Sequence, residues 1–301
     1  MHKELSAGHN EHGERLDRVL AQNIKSLSRS KLHDLIESGK VLVNGEVKKP
    51  SFHLKNGDHI LINFQAPKEE SLLYERQIPI IYEDDDIIVV DKPTGLVVHP
   101  PHPGYRETLV NALLYMQKEL STIDSSRRGV VHRLDKETSG VMVLAKNNES
   151  HNNLVAQFKE RKVKKEYQAI CWGQIKKENI RLDLPLKRDE KKRLRMKVSF
   201  LGSKRALTEI MPLKNFEDST LLSIKLYTGR MHQIRVHLKF LGYPIVGDKK
   251  YGKKDKYEEL YLHSHRLGLH HPRHKKFLEF VSPIPERFKK FVETKNQLYN
   301  K

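Results

Sequence analysis

The apolar positions change period several times along the chain, and each change marks an element. Leu16, Val19, Leu20 and Ile24 recur at helical spacing. Leu32, Leu35 and Ile36 do so again after the cap candidate Ser30, with Gly39 as a stop. Two short helices are predicted. Val41-Leu42-Val43 and Val47 then flank Asn44-Gly45, a dipeptide suited to a tight hairpin because both positions tolerate positive φ. A turn at Gly57-Asp58 leads into a strand over 59–62. From Gln65 to Gln77 the chain becomes polar, takes in Pro67 and loses its period, which reads as a linker.

Beyond the linker the pattern predicts strands over 78–82 and 87–90, then a helix over 108–116 carried by Leu109, Ala112, Leu113 and Met116. Two apolar runs, Val130-Val131 and 141–145, enclose a polar stretch holding Arg133, Asp135, Lys136 and Glu137, with Ser139-Gly140 as a turn. The second run is rich in β-branched residues and reads as a core strand. Its polar approach would then lie at one rim of a sheet, a common place for chemistry. By itself an Arg-x-Asp is ordinarily a surface ion pair. Leu154, Ala156 and Phe158 begin another helix, strands follow over 167–172 and 221–226, and 286–301 reads as a basic helix. There is no internal repeat and no low-complexity tract.

Charge adds a partner to this picture. Lys and Arg number 56 against 38 Asp and Glu, a net +18, which calls for a polyanion. Nucleic acid is the first candidate. A membrane surface competes, but neither end shows an amphipathic basic helix or a lipidation signal. The densest basic segment, 187–205, holds Lys187, Arg188, Lys191, Lys192, Arg193, Arg195, Lys197, Lys204 and Arg205. Such a run reads equally as a solvated hairpin or as a loop that orders on a ligand. Cys171 is the one cysteine, so an intrachain disulfide is impossible and a reducing cytoplasm fits. The opening MHKELSAGHNEHGERL has no apolar signal-peptide core, and no window approaches the roughly 20 apolar residues of a membrane span. Seventeen histidines, among them His263, His265, His270, His271 and His274, raise the question of zinc. With no second cysteine and no HExxH spacing, no metal is expected.

Four stretches carry a family likeness. GVVHRLDKETSGVMVLAK, from Gly129 to Lys146, resembles the signature HRLDxxTSGxxxxAK of the RluA-type pseudouridine synthases. It matches at His132, Arg133, Leu134, Asp135, Thr138, Ser139, Gly140, Ala145 and Lys146. DKPTGLVVHP, from Asp91 to Pro100, resembles DKPxGxxVHP; Pro93 and Gly95 make it a sharp turn, which reads as structural. TGRMHQIRVH, from Thr228 to His237, resembles TGRxHQIRVH, and 242–248 continues it as GxPIxGD. Near the N-terminus, RLDRVL, SRSKL, LIESGKVLVNG and NGD are similar to the RNA-binding domain named after small-subunit ribosomal protein four.

The resemblance implies an α+β protein in three parts. They are an RNA-binding domain over 14–64, a linker over 65–77, and a catalytic domain over 78–301 built on a mixed, mostly antiparallel sheet. It also implies isomerisation of uridine in RNA, most nearly like the members that act on large-subunit ribosomal RNA. That reaction needs neither redox change nor phosphoryl transfer, so no cofactor is expected, and a cytoplasmic monomer is. A carboxylate acts in such chemistry as nucleophile or proton acceptor and must be ionised; Asp135 is the candidate. Arg235 is implied as its partner, favouring the charged form. Tyr167 is implied as the aromatic that meets uracil and helps move a proton, although a strand tyrosine is ordinarily core. Arg133 could fill the space left by an extruded base. Arg230, His232 and Gln233 are candidate donors to the sugar-phosphate or base. Arg15, Arg29 and Lys31 are candidate phosphate contacts on the N-terminal unit, as are Lys192, Arg193 and Arg195 on the basic segment. Two rivals stand beside this reading. A non-catalytic RNA-binding or ribosome-assembly factor would not need the carboxylate. A glycosidase would need a second acid, and only Glu137 is near in sequence.

Overall fold

The computed structural model describes residues 2–24, 29–63, 73–102, 104–124, 127–192 and 194–299. Its first elements are β1 (His2–Ser6), α1 (Leu16–Asn23), α2 (Arg29–Glu37), β2 (Val41–Val43), β3 (Glu46–Val47) and β4 (His59–Asn63). The four strands form one antiparallel sheet in the order β1-β4-β2-β3. The helices are amphipathic as their spacing requires. Leu16, Val19, Leu20, Leu32 and Ile36 are buried against Val41, Val43, Ile60 and Ile62. Each such aliphatic side chain contributes roughly 1.5–3 kcal/mol by leaving water. Asn44 and Gly45 both take positive φ, 53° and 83°, the geometry a two-residue hairpin turn needs. The Asn44 amide donates to Asp58 and its carbonyl accepts the His59 N–H, tying the turn to β4. β1 was not anticipated. HKELS lacks alternation, and the strand is held at the sheet edge by its backbone pairing with β4.

The second sheet has nine strands: β5 (Ile80–Glu83), β6 (Ile87–Lys92), β7 (Ser139–Ala145), β8 (Lys164–Trp172), β9 (Ile180–Asp183), β12 (Leu207–Asn215), β13 (Ser219–Leu226), β14 (Leu262–His270) and β15 (Phe277–Val281). Between β9 and β12 the chain forms a separate small hairpin, β10 (Leu186–Arg188) with β11 (Met196–Val198). The order is β5-β6-β7-β14-β8-β13-β12-β9, with β15 on β14, and among these strands only β7 and β14 run parallel. The helices are α3 (Leu109–Tyr115), α4 (Asn148–Lys159), α5 (Gln233–Phe240) and α6 (Glu286–Tyr299). The protein is thus α+β with a mixed, mostly antiparallel sheet. Residues 87–90 of β6 and 141–145 of β7 are continuous apolar runs because both sheet faces are covered. Ile88, Val90, Met142 and Leu144 join one cluster with residues of α3, α5 and α6, while Ile87, Val89, Val141 and Val143 join another with Leu154 of α4.

Three local expectations are corrected. Ser139-Gly140 is not a turn but the start of β7, buried and paired with His263 and Ser264. A Cβ at Gly140 would lie 2.1 Å from the Ser264 carbonyl oxygen, so the glycine serves close strand approach and its φ of 116°. Val130-Val131, expected as a buried segment beside the loop, is only half-buried, with Val130 making a single bridge to Leu144. The helix expected to begin near Leu154 starts at Asn148, because Asn147 caps it by accepting the Ser150 N–H at 2.9 Å.

Candidate active site

Asp135 lies on the loop that enters β7, at the wall of a cleft of about 580 Å³. Its side chain keeps 19 % of its surface exposed. The same cleft is lined by Arg133, Tyr167, Arg230, His232, Gln233 and Arg235, so the loop before β7, strand β8 and the entry to α5 converge there. Arg133 is exposed at its mouth.

Arg235, 2 % exposed, does not pair with Asp135 alone. Its Nε and Nη2 donate to the two oxygens of Asp248 at 2.8 and 2.7 Å, a bidentate grip. Nη1 is left facing Glu137 Oε2 at 3.3 Å and Asp135 Oδ2 at 3.7 Å. Asp248 is the partner that reading the sequence missed, although it closes the GxPIxGD motif. Asp248 Oδ1 also accepts the N–H groups of Lys250 and Tyr251, which fixes the carboxylate before it meets the arginine. Burial works against the charged guanidinium, but hydrogen bonding to Asp248 and the nearby charges of Asp248, Asp135 and Glu137 outweigh it and raise its pKa further. Burial likewise opposes ionisation of Glu137, but Arg235, a backbone hydrogen bond and the nearby Lys250 and His232 together outweigh it and hold that carboxyl below its ordinary range.

The loop is held from below by a lysine. Lys92, fully buried, donates from Nζ to the carbonyls of Pro93, Leu96 and Lys136 at 2.9, 2.8 and 3.2 Å. Thr94 Oγ1 adds a bond to the Glu137 carbonyl at 2.8 Å. The Asp91–Pro100 turn is therefore the floor under residues 135–137. Burial pushes the Lys92 ammonium down to about 7, against the pull of Asp135 and Glu137.

Tyr167 belongs both to the core and to the cleft wall. Burial, with a smaller push from the Asp135 charge, raises its phenol to about 12 against a hydrogen bond with Ser264. It therefore keeps its proton at neutral pH and can pass one on but not hold a charge. His132 is a clip. Its Nε2 accepts the Val143 N–H at 3.1 Å, its ring stacks on Phe158 at 4.5 Å, and burial pushes its pKa to about 3.

The expected ligand donors divide. Gln233, though it lines the cleft, has no group to spare: its carbonyl accepts Thr228 Oγ1–H and the Arg230 N–H, and its amide donates to the Leu207 carbonyl and Thr208 Oγ1. It is a buried brace at the entry to α5 rather than a donor to RNA. Among the described residues, Arg230 engages only Nε, on the Arg205 carbonyl at 3.1 Å. His232 faces Asp135, with Nε2 3.9 Å from Oδ2. Lys192 and Arg195 sit on the β10–β11 hairpin, and Arg15 on the N-terminal unit; none of the three lines the cleft. Arg15 is already in a bidentate but exposed pair with Asp17, at 3.0 and 2.8 Å, the weak kind that a phosphate can displace. The side chains of Arg29 and Lys31, and Arg193 altogether, lie outside the described residues, as does most of the expected linker, 65–72.

Among the described residues, one trio has metal-ligand spacing: Asp84, Asp86 and His271. Its atoms are already engaged, His271 Nε2 with Asp84 at 2.9 Å and Asp86 with Arg273 at 2.7 and 3.0 Å. Of the other histidines considered for zinc, His263 bridges the hydroxyls of Ser139 and Ser282 at 3.0 and 3.1 Å.

An aligned carboxylate, a protonated phenol and a basic rim in one cleft make a site for chemistry on a polyanion. The profile of the RNA pseudouridylate synthase family matches residues 86–240, and that of the S4 domain matches residues 14–60. An uncharacterized RNA pseudouridine synthase of Aquifex aeolicus is 47 % identical over 292 residues, 92 % of each chain. Ribosomal large subunit pseudouridine synthase D of Neisseria meningitidis is 39 % identical over 290 residues, 91 % of this chain and 76 % of that one. A solved human structure, RNA Pseudouridylate Synthase Domain Containing 1, aligns with a TM-score of 0.59 at 26 % identity, covering 74 % of this chain and 87 % of that one. The chain belongs to the RNA pseudouridylate synthase family, isomerases that convert uridine in RNA to pseudouridine. No helix among the described residues is long and apolar enough to cross a membrane.

Proposed function

We propose that Asp135 is the reacting carboxylate and that the target uridines lie in large-subunit ribosomal RNA. The observation that carries the first half is the position of Asp135 Oδ2, 3.7 Å from a fully buried guanidinium whose other two donors are locked on Asp248. An arginine so fixed orients the carboxylate at no reorganisation cost when substrate arrives. In the reaction the bond from ribose C1′ to uracil N1 breaks, the freed base turns, and C1′ joins C5. The proton on C5 leaves and N1 ends protonated, so the step is an isomerisation with no cofactor. Asp135 attacks the sugar or takes a ribose proton. Tyr167 offers the base a ring face and, as a neutral phenol, relays the departing proton. Arg133 fills the gap left by the extruded nucleotide and Arg230 meets the backbone beside it.

The division of labour follows the separation of the N-terminal hydrophobic cluster, Ala7 to Ile62, from the clusters that follow, the largest of which spans Ile78 to Phe291. Residues 14–64, with β1 at their edge, form the accessory RNA grip, 65–77 the linker and 78–301 the catalytic domain. Lys192 and Arg195 hold RNA from the β10–β11 hairpin, and Arg193, in the same basic run of the sequence, adds a cation to that grip. The ribosomal substrate rests on likeness to proteins named as large-subunit pseudouridine synthases. With that substrate, one buried cysteine and no apolar spanning helix among the described residues, the protein works in the cytoplasm as a monomer away from membranes. The test is a pseudouridine map of RNA from cells with and without the gene. Loss of sites in large-subunit RNA is expected; loss confined to transfer RNA would overturn the substrate.

A further inference from the structure

Tyr251 stands between the basic hairpin and the reacting carboxylate. It follows Asp248 in the turn after the GxPIxGD motif and is 5 % exposed, packed in one cluster with Leu186, Ala206 and Val236 and against Met196 and Val198 of β11. Its Oη accepts the Met196 N–H at 2.7 Å and lies 2.7 Å from His232 Nδ1. A phenol oxygen that already accepts from an amide still has its own proton to give, and Nδ1 is where that proton points. At the other end of the ring, Nε2 faces Asp135 Oδ2 at 3.9 Å. That separation is too long for a hydrogen bond and of the sort that tightens when a substrate orders a site. A carboxylate only accepts. An imidazole with a donor at its δ side and an acceptor at its ε side is the Nε2–H tautomer. Burial also keeps the ring neutral, lowering its pKa against the opposing pull of Asp135. The backbone of His232 is left-handed, φ 55°, a conformation that persists only where surrounding contacts enforce it.

We propose that Tyr251 is a positioning residue: seated by the Met196 amide, its hydroxyl holds His232 as the Nε2–H tautomer aimed at Asp135. This rests on the reading of Asp135 as the reacting carboxylate. It joins the hairpin that carries Lys192 and Arg195 to the carboxylate through two hydrogen bonds and one short electrostatic contact. A hairpin pulled out of place would release the imidazole, so the seat of the RNA-holding segment and the alignment of the site are one mechanical unit.

The experiment is Tyr251→Phe in the full-length chain, which keeps the ring and its packing and removes only the hydroxyl. Two readouts are taken: the tautomer of His232, from ¹⁵N NMR of histidine-labelled protein, and turnover on RNA together with RNA affinity. Wild type should show the Nε2–H tautomer, and the variant should gain Nδ1–H, since nothing then donates to Nδ1. Its kcat should fall about ten- to a hundred-fold, the scale of a misplaced reacting group, while Kd for RNA stays within about twofold. An Nδ1–H signal for His232 in wild type, or wild-type kcat in the variant, overturns the proposal. If Asp135 were not the reacting group, Asp135→Asn would retain turnover, an outcome separate from both; the tautomer spectrum would still decide what Tyr251 does.

Discussion

Replacing Arg235 separates what holds this site together from what makes it work. In Arg235→Met the cation that touches Asp248, Glu137 and Asp135 is gone, and the Asp248 side chain, with no exposed surface, keeps a charge it cannot share with water. Lys250 does not substitute, since its Nζ stands 4.0 Å from Glu137 and is a third exposed. Removing one partner of a buried ion pair costs about 3–5 kcal/mol. Arg235→Lys keeps the charge but has no fork, so it forfeits one charge-assisted hydrogen bond, about 1.5–3 kcal/mol. The double variant Arg235→Met, Asp248→Leu removes both charges and should recover most of the lost stability. It leaves Asp135 without its guanidinium, so turnover should stay about a hundred-fold or more below wild type. Urea unfolding followed by the fluorescence of Trp172 reports stability, and tritium released from C5-labelled uridine in RNA reports turnover. Two results would refute the reasoning: an Arg235→Met protein as stable as wild type, or a double variant with restored turnover.

The remaining predictions concern the floor of the site and the grip. Lys92 titrates near 7 when folded against 10.5 ordinarily, so below pH 7 both states hold the proton and the cost of burying the charge is felt in full. Between about pH 7 and 10.5 the unfolded chain binds more protons than the folded one, and stability should rise with pH by an amount on the order of a few kcal/mol. Relative to Lys92→Met, wild type should gain stability over that range in urea melts at stepped pH; a pH-independent difference would count against it. Affinity for RNA should fall steeply between about 50 and 200 mM salt, and Lys192→Ala and Arg195→Ala should each lower the log–log slope by about one. A flat titration contradicts the electrostatic grip.

Reading the chain as a string found the right neighbourhood and some wrong neighbours. Arg133, Asp135, Tyr167, Arg230, His232 and Arg235 come from segments far apart in sequence and line one cleft, as their motifs implied. Motifs carry identities and not contacts, which is why Arg235 was matched to Asp135 while its strongest bonds go to Asp248. Gln233 looked like a free donor for the same reason: its four partners lie on Thr228, Arg230, Leu207 and Thr208, and only the first two are near it in sequence. Ser139-Gly140 has turn composition, but its glycine answers to a strand from 124 residues further on, whose backbone would touch any Cβ. β12 escaped notice because Pro212 breaks its pattern, and the strand accommodates that proline with a register shift beside it.

The central claim is that Asp135 carries the chemistry and the cations carry the binding. Asp135→Asn keeps the shape of the side chain and removes its charge, so its turnover on RNA, measured beside its RNA affinity, tests that claim most directly. Conversion of uridine lost by several orders of magnitude with Kd near wild type is the expected result; turnover near wild type would contradict it.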